Sequence, residues 1–255
     1  MSLTPDDIHK YFKIKRTQVE MMVDRGCLIP ENEIVMFIEN PDAQKPTPKL
    51  YGDFIKAYTH SSNGIFSRQL MNNNYENEKG ELTHVFFAPQ TTKDRQGIAS
   101  VNGFITNLTE LGAEHGIIIT EETFTSDARK ALDILTSPTI QIYYDYQLYT
   151  NPTRHVLVPR HTKLTEEERL NFFEKSRIKP NQLITFSLDD PIVSYYGWSA
   201  GDLIRIDRIN LATNKTMVKA SLSYRLVGRN RLEQLKAIAR KAKVVSKPGE
   251  NDDDD

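Results

Sequence analysis

The spacing of apolar positions divides the chain into alternating helical and extended stretches. Ile8, Tyr11, Phe12, Val19, Met22 and Val23 recur at close to helical spacing, which predicts a helix over 4–26. Thr4-Pro5-Asp6-Asp7 supplies an N-cap, a proline at the first helical position and acids in the first turn, and Gly26 fits a C-cap. The pattern then predicts a short strand over 33–39, a loop over 41–48 and a helix over 49–60. Residues 63–80 are polar and rich in Asn, and read as a loop or hairpin tip. A strand is predicted over 84–89. Val101, Phe104, Ile105 and Leu108 predict a helix over 97–111. The unbroken apolar run in 116–120 fits a strand buried on both faces. A short helix over 126–135 and a strand over 139–144 follow. Strand, helix, strand, helix, strand from 84 to 144 is an α/β signature.

Residues 149–154 are polar, contain Pro152, and read as a domain boundary. Thr165-Glu-Glu-Glu168 is a capping box that opens a helix ending near Ser176. Residues 181–186 read as extended, and Asp190-Pro191 as the start of a helical turn stopping at Gly197. Leu203, Ile204, Ile206 and Ile209 are interleaved with charged residues, which predicts a strand over 202–209. Its partner is predicted over 217–227, with a hairpin loop over 210–215. Such a strand has an edge to lend to a partner. Beyond it, Leu232, Leu235 and Ile238 share a helical face among basic residues, and 246–255 reads as a disordered acidic tail. The expected division is 1–149, 150–227 and a basic helical extension with its tail over 228–255.

Charge sharpens that division. The 255 residues carry a net charge of −1. Residues 1–150 hold 14 Lys/Arg against 20 Asp/Glu, and residues 151–255 hold 19 against 14. An acidic half joined to a basic half suggests two modules and a polyanionic partner. The apolar runs are far too short to span a bilayer, and no secretory signal is visible at the N-terminus. Cys27 is the single cysteine, so no internal disulfide is available and a reducing, intracellular setting is expected. It reads as a structural thiol.

Candidate chemistry is sparse. No Gly-rich phosphate loop of either common spacing occurs. A metal-dependent nuclease on an α/β domain would use an acid-x-Lys pattern on a strand. No lysine here has Asp or Glu two positions before it. His155 and His161 lie six apart, which suits neither one strand face nor a zinc pair on a helix. No catalytic residue, metal ligand or cofactor is expected.

Several motifs in order over 150–227 are specific. His155-Val-Leu-Val-Pro159-Arg-His161 precedes Leu164-Thr-Glu-Glu-Glu; then come Gln182-Leu183, Asp190-Pro191-Ile-Val, Tyr195-Tyr196-Gly197, Gly201-Asp202-Leu-Ile-Arg-Ile and Ser223-Tyr224-Arg225-Leu-Val. This stretch resembles the C-terminal assembly domain of the fifth subunit of eukaryotic-type RNA polymerases, a domain that also has a similar counterpart in archaeal RNA polymerase. In the first half, Arg16-Thr17 and Asp24-Arg25-Gly26 resemble the first helix of the same family, and Thr125-Ser-Asp-Ala-Arg-Lys130 falls at the family's helix-opening turn. The chain departs from the pattern at Trp198-Ser199-Ala200, where the family carries basic residues, at Ile184 in place of a proline, and at Asp127 within the turn. It also continues 28 residues past Val227.

The resemblance implies an α+β/α/β fold. An N-terminal three-layer α/β jaw domain would be followed by a small α+β assembly domain with a mixed sheet. It implies a non-catalytic structural subunit, in the nucleus or, in a large DNA virus, in the virion or viral factory. The partners would be the largest polymerase subunit and downstream duplex DNA, with no membrane. Interface candidates are His155, Pro159, His161, Asp190, Pro191, Tyr196, Gly197, Gly201, Asp202, Tyr224 and Arg225. DNA-contact candidates are Thr125, Ser126, Arg129 and Lys130, because a helix N-terminus and cationic side chains suit phosphate without reading bases. The alternatives are a free-standing transcription regulator and a degenerate nuclease-like protein.

Overall fold

The computed structural model describes residues 4–61, 64–90, 95–135, 137–210, 215–216 and 222–228. The chain divides into two compact units, Met1–Asn151 and Pro152–Asp255. The helix predicted beyond Val227 and the acidic tail lie outside the described residues, as do 211–214 and 217–221.

In the first unit, helix α1 (Pro5–Asp24) opens with a capping box in which Thr4 and Asp7 satisfy each other's backbone N–H. Strand β1 (Cys27–Leu28), helix α2 (Glu31–Glu33) and helix α3 (Pro48–Ala57) follow. Then come β2 (Asn73–Asn77), β3 (Leu82–Phe87), β4 (Arg95–Gln96) and helix α4 (Ile98–Leu111). The unit ends with β5 (His115–Thr120), β6 (Thr123–Phe124), helix α5 (Ser126–Ile134) and β7 (Thr139–Tyr144). The main sheet runs β1-β2-β3-β5-β7. β1, β2 and β3 pair antiparallel, whereas β3, β5 and β7 pair parallel.

Helices cover both faces of this sheet. Val101, Phe104 and Leu108 of α4 and Ala128 and Leu132 of α5 pack with Ile118 on one face. Lys15 of α1 lies over the rings of Tyr75 and Phe87 on the other. The two parallel crossovers place α4 and α5 side by side, as consecutive connections of one hand require. Gly116 lets α4 approach closely. A Cβ there would sit 2.7 Å from Leu108 and 2.8 Å from Phe104.

Two expectations for this unit are corrected. Residues 33–39 are not a strand: α2 runs into a π-helical turn, Ile34–Ile38. The run Ile-Val-Met-Phe-Ile has no period of its own, so the contacts at its ends decide its form. Glu33 is paired with buried Lys15, and Phe37 is packed against Phe12 and Phe54. Residues 63–80, read as a loop or hairpin tip, do hold the tip of the β2–β3 hairpin but also contain the strand β2 itself. Only Tyr75 of that strand is apolar and buried, and side-chain amides do the rest. Asn73 donates to Glu33, Asn72 accepts from the Phe87 N–H, and Asn74 meets His84. Cys27 is half-buried on the edge strand β1, where burial pushes its thiol pKa up.

The second unit contains β8 (Arg160–Lys163), helix α6 (Glu166–Ser176), β9 (Ile184–Ser187) and helix α7 (Pro191–Tyr196). These are followed by β10 (Leu203–Asp207), β11 (Ile209–Asn210), β12 (Lys215–Thr216) and β13 (Ser223–Gly228). The sheet runs β8-β10-β13-β9. β10 is antiparallel to both neighbours, and β13 is parallel to β9, so the sheet is mixed. The strand read as lending an edge, β10, lies inside the sheet; the edges are β8 and β9. α6 carries the capping box read at Thr165 and Glu168. Phe186, Ile192, Val193, Ile204, Ile206 and Val227 form the core beneath α7.

Candidate interfaces of the two units

Alternation along the strands sorts the interface candidates of the second unit onto opposite faces of its sheet. Arg225 of β13 pairs with Ile204 of β10 and lies over the Phe186 ring at 5.5 Å. Its neighbour Tyr224 turns to the other face and packs on Phe172 of α6, ring to ring at 4.4 Å. On the Arg225 side, His161 stacks on Phe186 at 5.6 Å. Burial lowers the His161 pKa, against the opposing pull of the Pro159 carbonyl and Asp190.

Four of the candidates line one cavity of about 460 Å³: Pro159, His161, Asp190 and Arg225. Arg208 completes its polar rim, and Phe186, Ile192 and Ile206 form its apolar wall. Val156 and Leu157 stand at its mouth, 79% and 71% exposed. Burying two such side chains in an interface contributes about 1.5–3 kcal/mol each. Nothing in the alternation of the sequence singles them out, because they sit in the irregular lead-in between Pro152–Arg154 and β8.

Asp190 and several of the other candidates also build the unit's own fold. Asp190 accepts from the Ile192 N–H at 2.9 Å and caps α7, which Pro191 begins. Gly197 ends that helix at φ +68°, in the left-handed region where glycine is unstrained. Tyr196 stacks on Trp198 at 4.6 Å with an interplanar angle of 7°. Gly201, at φ +98°, donates to the Val227 carbonyl. Asp202 accepts from the Ser199 N–H and pairs with Lys163 at 2.9 Å. His155 is exposed, and its Nδ1 accepts from the Leu157 N–H.

Gly197-Trp-Ser-Ala-Gly201 has the letters of a hydrolase nucleophile elbow, Gly-x-Ser-x-Gly. Such an elbow needs a strand before it and a helix after it. Here the order is reversed, helix α7 before and strand β10 after. The glycines serve the turn.

In the first unit, Thr125 caps α5, its Oγ1 accepting from the Ala128 N–H at 3.3 Å. Strands β4 and β6 pair in parallel just ahead of α4 and α5, and the Thr125 N–H donates to the Gln96 carbonyl. The two helix N-termini therefore open side by side, beyond the carboxyl ends of the parallel strands. Ser126, Arg129 and Lys130 are exposed there. Asp127 sits 3.7 Å from Lys130 and offsets part of its charge. Among the described residues no cluster of His, Cys, Asp and Glu could hold a metal ion, and no helix is long and apolar enough to cross a membrane.

Residues 150–227 match the family model described as RNA polymerase Rpb5, C-terminal domain. Among curated proteins, the chain is similar to the DNA-directed RNA polymerases I, II, and III subunit rpabc1 of Dictyostelium discoideum. The two are 25% identical over 206 residues, which covers 80% of this chain and 92% of that one. The RPABC1 subunits of Caenorhabditis elegans and Caenorhabditis briggsae are 24% and 23% identical over 236 residues, covering 88% of this chain and 100% of each relative. Among solved structures, the ATP-dependent Type ISP restriction-modification enzyme LlaBIII bound to DNA aligns with 16% identity and a TM-score of 0.31, covering 72% of this chain and 12% of that one. A score that low carries no argument about fold. The motifs of 150–227 and the curated similarity reaching across both units point the same way: residues 150–227 match the Rpb5 C-terminal domain, and the chain over most of its length is similar to the RPABC1 subunits of DNA-directed RNA polymerases.

Proposed function

We propose that this chain is a non-catalytic structural subunit of a multisubunit nuclear DNA-directed RNA polymerase. The observation that carries the reading is the match of 150–227 to the Rpb5 C-terminal domain, joined to similarity that extends through the first unit. In this reading residues 150–227 are the assembly domain and dock on the largest subunit. The exposed Val156 and Leu157 beside the 460 Å³ cavity supply apolar contact there, and Arg208 and Arg225 supply charge. Residues 1–149 form a jaw domain near downstream duplex DNA. The paired N-termini of α4 and α5, with Arg129 and Lys130, favour phosphate without reading sequence. Residue roles in docking and in DNA contact are part of this proposal.

The experiment is affinity purification of the tagged chain from its native source, washed at high salt, with mass spectrometry of what remains. Salt strips phosphate-type contacts steeply and spares a large packed interface. The two largest polymerase subunits are expected in about equal amounts with the chain. Recovery alone, or with polymerase only at low salt, would overturn the integral-subunit reading in favour of a dissociable regulator. Magnesium-dependent cleavage of DNA by the purified chain would point to a nuclease instead.

A further inference from the structure

A cleft on the first unit, away from the turn at Thr125, has the makings of a second docking site. It lies where α2 passes into the π-helical turn Ile34–Ile38. Such turns recur at functional sites because the extra residue pushes a side chain out of the regular helical row. This one is held at two points. Glu33 is buried, 2.7 Å from the fully buried Lys15 ammonium, and accepts from the Tyr75 hydroxyl at 2.6 Å. Phe37 is buried, with ring centroids 5.4 Å from Phe12 and 6.3 Å from Phe54.

The residues between and beyond these anchors face outward. Val35 is 56% exposed and Ile38 is 37% exposed. Val35 and Met36 form one wall of a cleft of about 500 Å³, and Leu50 and Asp53 of α3 form another. That volume lies within the range of sites that take an inserted group. The backbone that shapes it is pinned on both sides, so little ordering remains for binding to impose.

The charge at the cleft has one sign. Glu31 and Asp53 line it, and no Lys or Arg does. Both carboxylates are exposed, and among the described residues neither has a cationic partner. Lys49 and Lys56 belong to α3 but do not line the cleft. A phosphate backbone or an acidic peptide would meet the two carboxylates that line the cleft.

We propose that this cleft binds an amphipathic helical segment of a partner protein, with an apolar anchor flanked by Lys or Arg. The anchor enters between Val35 and Leu50, and the flanking cations meet Glu31 and Asp53. This is the helix-in-groove mode of recognition. The site is on the first unit and does not depend on the docking assigned to 150–227.

The test uses the full chain with methyl-labelled methionine. The probe is a fluorescein-tagged peptide of about 18 residues, built of Leu and Lys at amphipathic helical spacing. Saturable binding is expected by anisotropy at about 0.15 M salt. The Met36 methyl resonance should move during the titration while fully buried Met71 stays in place. Glu31→Lys with Asp53→Lys should weaken binding by about tenfold or more, since rim charges steer and select partners. Glu110→Lys with Asp127→Lys, which changes net charge equally on α4 and α5, should change it by less than about twofold. Val35→Asp, at an exposed position, should also abolish the Met36 shift. Absence of saturable binding would overturn the proposal. So would equal weakening by both double reversals, or equal binding of a probe with Glu in place of Lys.

Discussion

Arg68 and Asp145 lie 77 positions apart in sequence and meet in the buried interior of the first unit, where the guanidinium grips both carboxylate oxygens. Arg68 also donates to the Ile119 carbonyl and lies over the Tyr11 ring. A buried charge stripped of its partner is far more costly than a surface one. Asp145→Ala is therefore expected to destabilise the chain by about 3–5 kcal/mol in urea unfolding. Glu121→Ala, which removes the more exposed partner of Lys10, is expected to cost less than about 1 kcal/mol. Equal losses would refute this assignment. Neither this pair nor Lys15–Glu33 was legible in the sequence. A charged residue in a helical or loop pattern reads as solvated, and only the path of the chain supplies its partner. The interface candidates were legible as motifs, but their separation onto two faces was not. Tyr224 and Arg225 are adjacent letters until β13 alternates them.

At the scale of elements, local signals worked where the backbone carries its own instructions. The caps at Thr4, Thr165 and Asp190 lie in the sequence, and helices begin where they stand. Residues 139–144 form β7 over the predicted bounds. The signals failed where tertiary contacts supply the deciding energy. The apolar run 34–38 became a π-helical turn, and the Asn-rich stretch became β2 through side-chain amides that no hydrophobic pattern registers. Gly116 sits in a buried strand that reads as an ordinary apolar run, yet its lack of a side chain sets the distance between α4 and the sheet. Gly116→Ala would drive a methyl into Leu108 and Phe104, so a loss of about 1–3 kcal/mol is expected. A thermal melt measures it, and an unchanged midpoint would mean that α4 is not held against the sheet as described.

For the whole molecule, the two units each hold a histidine whose pKa burial lowers: His84 in the first and His161 in the second. His84 stacks on Phe104, and its Nδ1 meets Asn74. A lowered folded pKa means that the unfolded chain binds more protons once pH falls to about the ordinary value of 6.5. Stability is then fully present above that value and declines as pH drops toward the folded pKa. Melting temperature is expected to fall between about pH 7.5 and 5.5, above the range where carboxylates titrate. His84→Phe should flatten the part of that slope belonging to the first unit. A wild-type melting temperature constant over this range would show that neither imidazole is held neutral.

Composition, capping chemistry and ordered motifs by themselves determined that this is an α/β-type chain with an acidic first half and a basic second half, carrying the motifs of the fifth-subunit family. Those properties reside in letters within a few positions of one another or in their sums. Only the tertiary structure decided that β10 is interior and β8 and β9 are edges. It also decided that Pro159, His161, Asp190 and Arg225 share one cavity and that Val35 stands over an acid-lined cleft. Each of these follows from strand order or from long-range packing. Burial and pairing energies depend on which distant residues meet, and a linear pattern carries no term for that.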